Sequence, residues 1–226
     1  MCYPIRRVIV NEVIVLLEKG IAAPAFLEIP ENVAGAVLFA HGSGSSRHSP
    51  RNRFVAEELG KGRLATLLVD LLTPDEDAID RRTGEFRFDI PLLARRLTGA
   101  TMWARKHEPL AGLPFGYFGA STGAAAALIA AATLPGEIGA VVSRGGRPDL
   151  AGGYLREVRT PTLFIVGSAD EIVLKLNRDA SAQLSVPHRL VVVPGATHLF
   201  EEPGALTQVA RHARAWFSRY LTQLSP

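Results

Sequence analysis

The sequence contains few of the residues from which several common kinds of site are built. Among its 226 residues there is one cysteine, Cys2, so no disulfide can form within the chain, and a reducing, cytoplasmic setting is expected. Nowhere do more than two Lys or Arg residues stand together, and the net charge is only +3. A nucleic-acid surface needs clustered basic residues, so neither DNA nor RNA is expected as a partner.

Long apolar runs are also missing. The N-terminal stretch VIVNEVIVLL (8–17) is interrupted by Asn11 and Glu12, and Lys19 and Gly20 follow without a small-residue cleavage site. This pattern predicts a strand rather than a signal peptide or a membrane span, and no membrane partner is expected. The length and the hydrophobic content of 47% fit a single domain over residues 1–226.

Short apolar runs alternate with longer segments of helical period. Strands are predicted at 35–40, 63–70, 114–119, 138–143, 160–167 and 188–195, and helices near 50–60, 89–106, 122–134, 172–184 and 205–221. Segments 6–18 and 23–29 predict an antiparallel pair at one edge, and 71–88 a long polar connection. Together they predict an α/β fold with a doubly wound, mostly parallel sheet, helices on both faces and no large cap domain, in which ligands bind beyond the carboxyl ends of the strands.

The stretch GASTG (119–123) stands where a predicted strand ends and an alanine-rich helix begins. This is the strand–turn–helix setting of a nucleophile elbow, in which the two glycines let strand and helix pass closely around a strained serine, here Ser121. The alternative is that Ser121 only caps the helix. A catalytic serine requires a base and an orienting acid further along the chain.

Asp170 and His198 each follow directly after a predicted strand, in the order serine, acid, histidine. Each residue also has a simpler interpretation: Asp170 is a helix N-cap, and His198 is an exposed loop histidine. If Asp170 only caps the helix, Glu171 is the nearest acid that could replace it in catalysis. Neither simpler interpretation accounts for all three strand-end positions together.

The glycine-rich stretch HGSGSS (41–46) also follows a strand. Its backbone N–H groups are candidates for an oxyanion hole together with the N–H of Thr122, with Ser43 as the first choice and Gly44 as the second. A phosphate-binding loop is the competing interpretation, but no Gly-Lys-Ser/Thr follows. The histidines match no zinc spacing, so no metal is expected, and His41 is expected to brace the loop.

Arg144 and Arg147 follow the strand at 138–143, at the edge of the sheet where the site is expected. An arginine there is able to bind a substrate carboxylate in a bidentate manner. The alternative, which is favoured on sequence alone, is that both brace the loop or lie on the surface.

Five ordered motifs, HGSGSSRHSPRN, LLVDLLTPDEDAIDRRTGEFRFDI, GASTG, VGSADEIV and PGATHLF, resemble the dienelactone hydrolase-like branch of the α/β-hydrolases over about residues 30–220. The resemblance implies the α/β-hydrolase fold, with Ser121 as nucleophile, Asp170 as acid and His198 as base. One departure is that the hydrolases for which the family is named have cysteine as the nucleophile. Some proteins similar to this subgroup carry a fused phosphoribosyltransferase-like domain, which is not expected within these 226 residues.

The expected activity is hydrolysis of small or short-chain carboxylic esters through an acyl-enzyme, without a cofactor. Only 71–88 and 144–157 are available to form a lid, which favours small esters over a deep acyl tunnel. The alternatives are a binding module on a hydrolase fold, and acyl transfer or amide hydrolysis by the same residues. The edge strands fit either a monomer or a homodimer.

Overall fold

The computed structural model describes residues 8–222. Cys2 and the first two residues of the predicted strand 6–18 lie outside them. The strands are β1 (Val8–Glu18), β2 (Ile21–Pro30), β3 (Gly35–Ala40), β4 (Leu64–Val69), β5 (Phe115–Ala120), β6 (Ile138–Arg144), β7 (Thr162–Gly167) and β8 (His188–Val193). The helices are α1 (Pro50–Gly60), α2 (Pro74–Thr83), α3 (Ile90–Ala104), α4 (Thr122–Thr133), α5 (Glu171–Ser181) and α6 (Ala205–Leu221).

The eight strands form one sheet in the order β1-β2-β4-β3-β5-β6-β7-β8. β3 to β8 run parallel, and β1 and β2 form the antiparallel edge, β2 pairing antiparallel with β4. The prediction of a mostly parallel sheet with an antiparallel N-terminal edge is therefore confirmed. Every residue of β3, β4, β5 and β7 is buried, which explains why these strands are continuous apolar runs rather than alternating ones.

Two hydrophobic layers cover the two faces of the sheet. One contains buried residues of α3, α4 and α5, and the other those of α1 and α6. Ser49 caps α1 by accepting a hydrogen bond from the N–H of Asn52, with Pro50 at the first helical position. Because β3, β5, β6, β7 and β8 are parallel, the residues that follow them all lie at one edge of the sheet.

The prediction for 71–88 was wrong in one respect, because this segment contains α2. Thr73 and Glu76 form a capping box at its start: the N–H of Glu76 donates to Thr73 Oγ1, and that of Thr73 donates to Glu76 Oε2. The helix is polar on nearly all sides, so it lacks the apolar period by which the other helices were found. The other predicted lid segment, 144–157, contains a 3₁₀ segment, Pro148–Glu157.

Candidate active site

Ser121 stands between β5 and α4 in a strained backbone conformation, with φ 50° and ψ −122°. A residue other than glycine avoids this region unless its surroundings impose it. The end of β6 and the loop after it hold the backbone of Ser121 on both sides: the N–H of Ser121 donates to the carbonyl of Arg144 at 3.2 Å, and its carbonyl accepts from the N–H of Arg147 at 3.0 Å. The turn is therefore fixed by the neighbouring strand.

Gly119 and Gly123 make this turn sterically possible. A Cβ on Gly119 would lie 2.7 Å from the carbonyl oxygen of Gly123, and a Cβ on Gly123 would lie 2.5 Å from that of His41, too close in both cases. The glycines thus have the function expected of a nucleophile elbow, which is to let strand, helix and the loop after β3 approach one another.

The side chain of Ser121 does not cap the helix. It occupies the N-cap position of α4 but makes no side-chain hydrogen bond to the first turn. The interpretation of Ser121 as an ordinary cap therefore fails, because a capping serine accepts a hydrogen bond from the second or third residue of the helix.

Asp170 likewise occupies the N-cap position of α5 without a side-chain capping bond. Its Oδ2 instead lies 2.7 Å from Nδ1 of His198, 28 residues further along the chain. A ring N–H at Nδ1 donating to the carboxylate leaves Nε2 as the free, basic nitrogen. The Asp170 side chain is 15% exposed and the His198 side chain is 39% exposed, so the pair is partly buried near the protein surface.

The loop that carries His198 is held by an acidic clamp. Glu202 Oε1 accepts hydrogen bonds from the backbone N–H of Thr197 at 3.0 Å and from its hydroxyl. The hydroxyl of Thr197, the N–H of Glu202 itself and the N–H of Thr197 together outweigh the opposing effect of burial and lower the pKa of Glu202. This clamp was not found from the sequence, since a glutamate in a loop carries no distinguishing signal.

The glycine-rich loop after β3 lies against the start of α4. The N–H of Ser43 donates to Oγ1 of Thr122 at 3.1 Å, and the two hydroxyls are 3.0 Å apart. As the first residue of α4, Thr122 has an N–H without an intrahelical acceptor. The structure thus brings together two of the three residues predicted for an oxyanion hole, while the third, Gly44, forms the corner of the turn with φ 66°.

His41 braces this loop, as expected. Its Nε2 accepts from the N–H of Leu71 at 3.1 Å, so the ring proton is on Nδ1, which lies 3.1 Å from the carbonyl oxygen of Gly42. That carbonyl belongs to the same peptide unit as the N–H of Ser43. The neutral histidine therefore sets the plane of the peptide that presents this N–H.

The segment with α2 lies beside the same loop. Buried Asp80 accepts hydrogen bonds from the N–H groups of Phe86 and Arg87, each at 2.8 Å, and from Nε of Arg87 at 2.8 Å. Burial alone would raise the pKa of Asp80, but these donors outweigh it and lower the pKa. The Ser43 hydroxyl lies 3.5 Å from the carbonyl oxygen of Arg87, and a small cavity of about 10 Å³ is lined by Arg87 and by the loop His41–Ser45.

The two arginines predicted as substrate ligands have different surroundings. Arg147 forms a bidentate pair with Asp149, its Nε and Nη2 lying 2.9 and 2.7 Å from the carboxylate oxygens. Its charge already has a partner, as the bracing interpretation expects. Arg144 is buried and forms no ion pair with any residue of the described range.

None of the helices of residues 8–222 combines the length and the apolar character needed to cross a membrane. The comparison with family models finds no match. Among curated proteins, the "Putative phosphoribosyl transferase" of two strains of Mycobacterium tuberculosis is 53% identical over 216 residues, which are 96% of this chain. The chain spans 48% of the length of these relatives.

Among solved structures, a dienelactone hydrolase from Anabaena variabilis is 56% identical to this chain, with a TM-score of 0.90, and the match covers 94% of this chain and 99% of that protein. The esterase domain of a Rhodothermus marinus protein shares the fold at 19% identity, with a TM-score of 0.73 and coverage of 94% of this chain and 99% of that domain. On the first of these matches, the chain belongs to the dienelactone hydrolase-like family of the α/β-hydrolases.

Proposed function

We propose that this protein is a serine hydrolase that cleaves small carboxylic esters through an acyl-enzyme. The observation that carries the proposal is the backbone of Ser121, which is held at φ 50° without any capping role for its side chain. Strain of this kind costs about 1–3 kcal/mol and persists where the surroundings impose it, commonly at catalytic sites. The hydrogen-bonded pair of His198 and Asp170 after two further strands supports the same function.

In this proposal His198 Nε2 takes the proton of the Ser121 hydroxyl as its oxygen attacks the ester carbonyl, and a tetrahedral intermediate forms. His198 then gives that proton to the leaving alcohol, and the acyl group stays on Ser121. Asp170 holds the ring through Nδ1 and stabilises the imidazolium. A water molecule, deprotonated by the same nitrogen, releases the acid and restores the serine.

The oxyanion of each tetrahedral intermediate would be held by the N–H groups of Thr122 and Ser43, each contributing about 3 kcal/mol to the barrier reduction. The N–H of Ser43 already points at the residue that carries the other donor, which favours it over Gly44. We infer that the substrate oxygen replaces the Thr122 hydroxyl as its acceptor.

The name of the mycobacterial relatives does not alter this proposal. It belongs to proteins about twice as long as this chain, and the 53% identical match of 216 residues covers 48% of their length.

A fluorophosphonate probe and a short-chain p-nitrophenyl ester test the proposal. We expect the probe to label Ser121 of the wild type, and Ser121→Ala to lose labelling and about 10⁶-fold in kcat. Ser181→Ala is the matched control, because Ser181 is a partly exposed serine at the end of α5 whose hydroxyl donates only to the carbonyl of Arg178 among the described residues. Folded wild-type protein that neither takes the label nor hydrolyses the ester would rule the proposal out.

A further inference from the structure

Asn177 is a fully buried polar residue of α5 that forms a hydrogen bond outside its own helix. Its Nδ2 donates to the carbonyl of Val173, one turn earlier, at 2.8 Å, and to the carbonyl of Gly146, in the loop after β6, at 2.9 Å. Because both partners are carbonyl oxygens, the amide nitrogen of the side chain must face them. The second bond joins α5 to a loop that lies 31 residues away in the chain.

The peptide that Asn177 holds also fixes the candidate nucleophile. The carbonyl of Gly146 and the N–H of Arg147 belong to one peptide unit, and this N–H donates to the carbonyl of Ser121 at 3.0 Å. A peptide unit is planar and rigid, so a displacement of its carbonyl moves its N–H as well. Hydrogen bonds in such a chain also strengthen one another. Asn177 and Ser121 are therefore linked through a single peptide.

This peptide has little room to move by itself. A Cβ on Gly146 would lie 2.0 Å from Oγ of Ser143 in β6 and 2.6 Å from Cβ of Ala124 in α4. Gly146 thus lies directly against the strand before the loop and against the helix that follows Ser121. Because a close-packed interior transmits strain, a change in the hydrogen bond from Asn177 reaches the elbow instead of being absorbed within the loop.

The same helix carries the acid of the candidate site. Asp170 is the N-cap residue of α5, and its Oδ2 lies 2.7 Å from Nδ1 of His198. Asp170 and Asn177 are about two helical turns apart, so they lie on the same side of α5. The loop of His198 packs on the loop after β6, since a Cβ on Gly145 would lie 3.2 Å from the carbonyl oxygen of His198. At one end α5 thus holds the Asp170–His198 pair, and two turns later the peptide that fixes Ser121.

Stability alone does not explain an asparagine at this position. The other buried residues of α5 are Val173, Leu174 and Ala180, all apolar. Oδ1 of Asn177 is buried without a hydrogen-bond partner among residues 8–222, and a buried polar atom without a partner costs stability. An apolar side chain would avoid this cost and lose the bond to Gly146. That bond is therefore the distinctive contribution of the asparagine.

We propose that Asn177 is a positioning residue that sets the distance between His198 and the hydroxyl of Ser121. It acts through α5 and through the peptide after Gly146, and its buried side chain does not contact the substrate. The inference rests on the proposed function, because it assigns a role in that reaction. Loss of the bond to Gly146 would leave the Asp170–His198 pair intact but displaced from the serine. A displacement of about 1 Å costs about 100-fold in rate.

Two substitutions remove the bond to Gly146 in different ways. In Asn177→Ser the short hydroxyl still donates to the Val173 carbonyl of its own helix but does not reach Gly146. Asn177→Asp keeps the shape of the side chain, and an ionised carboxylate has no donor for either carbonyl. We expect each variant to lower kcat on a short-chain p-nitrophenyl ester by about 100-fold with a nearly unchanged KM, because the reacting groups are displaced while the substrate contacts remain. If Asn177→Asp does not fold, Asn177→Ser decides.

Thr101→Val is the matched control. Thr101 is also fully buried, and its hydroxyl lies 2.6 Å from that of Tyr117, so this variant loses a buried hydrogen bond between α3 and β5, outside the loops of the candidate site. It should melt at a lower temperature than the wild type and keep its kcat. All variants are assayed at a temperature at which each is fully folded. If the Asn177 variants then keep kcat as Thr101→Val does, Asn177 is only a structural residue and the proposal is overturned.

The proton that His198 shares with Asp170 separates displacement of the pair from damage to it. We expect the downfield NMR resonance of this Nδ1 proton to persist in Asn177→Ser and to disappear in Asp170→Asn, in which the tautomer changes. Its loss in Asn177→Ser would mean that the pair itself is broken, and would overturn the proposed route.

The failure of this inference is distinguishable from the failure of the esterase proposal. A folded wild type that hydrolyses no ester overturns the esterase proposal and, with it, a catalytic role for Asn177. An active wild type together with fully active Asn177 variants overturns the role of Asn177 alone.

Discussion

Replacing Gly123 by alanine should damage both the stability and the activity of this protein. The new Cβ would lie 2.5 Å from the carbonyl oxygen of His41 and closer still to that of Ala40. A carbon and a carbonyl oxygen in contact are normally about 3.3–3.6 Å apart. Helix α4 and the end of β3 must therefore separate by about 1 Å, and both contacts are with backbone, which has little freedom to yield.

The expected size of the effect follows from this displacement. Overpacking of a well-packed interior costs about 1–3 kcal/mol, and the upper end applies here because two backbone carbonyls are involved. For a chain of this length, 3 kcal/mol lowers the melting temperature by about 6–12 °C. The displaced carbonyls lead directly into the Ser43 peptide, and a shift of about 1 Å in a catalytic group costs about 100-fold in rate.

Thermal unfolding and kcat/KM on a short-chain ester measure the two effects. Gly60→Ala is the matched control, because a Cβ on Gly60, the last residue of α1, meets no atom within 4 Å. Alanine there should leave activity unchanged and stabilise the protein by up to about 1 kcal/mol. If Gly123→Ala and Gly60→Ala melted at the same temperature, the close approach of strand and helix at the elbow would be refuted.

Two further substitutions test the site and its surroundings. Asp170→Asn should lower kcat by about 10⁴-fold at a nearly unchanged melting temperature, because the ring of His198 loses the group that orients its tautomer. Glu171→Gln, one residue further on, is the control and should have a kcat close to that of the wild type. Equal losses of kcat in both variants would mean that Asp170 is not the orienting acid. Asp80→Asn should destabilise the protein at neutral pH by about 2 kcal/mol, because it removes the charge and the Oδ2 acceptor that pair with the partly exposed Arg87. The pKa of Asp80 is lowered in the folded state, so its contribution is fully present above the unfolded pKa of about 3.9 and is lost as the pH falls through the folded value. The difference in unfolding free energy between wild type and Asp80→Asn should therefore shrink below about pH 4, and a difference that stays constant from pH 7 to pH 3 would contradict this account.

Much of the fold and of the candidate site follows from local sequence signals. Buried parallel strands are continuous apolar runs, and the helices between them have an apolar period, so the alternation of the two predicts the sheet. Since the carboxyl ends of parallel strands meet at one edge, Ser121, Asp170 and His198 were expected close together, and Asp170 and His198 do form a hydrogen bond. Helix α2 was missed because it is polar on nearly all sides, although its Thr73–Glu76 capping box was present in the sequence.

The order of the elements and the residues at the ends of strands are predictable from sequence, because backbone preference and burial period are local properties. The contacts of those residues depend on how distant parts of the chain pack together. Arg144 and Arg147 are equivalent candidates in the sequence, yet Arg147 has a carboxylate partner two residues away, whereas Arg144 is buried beside Asn52 of α1 without a carboxylate partner among the described residues. Likewise Ser121 and Asp170 occupy N-cap positions but do not cap, because distant chain segments hold the serine's backbone and engage the aspartate's carboxylate.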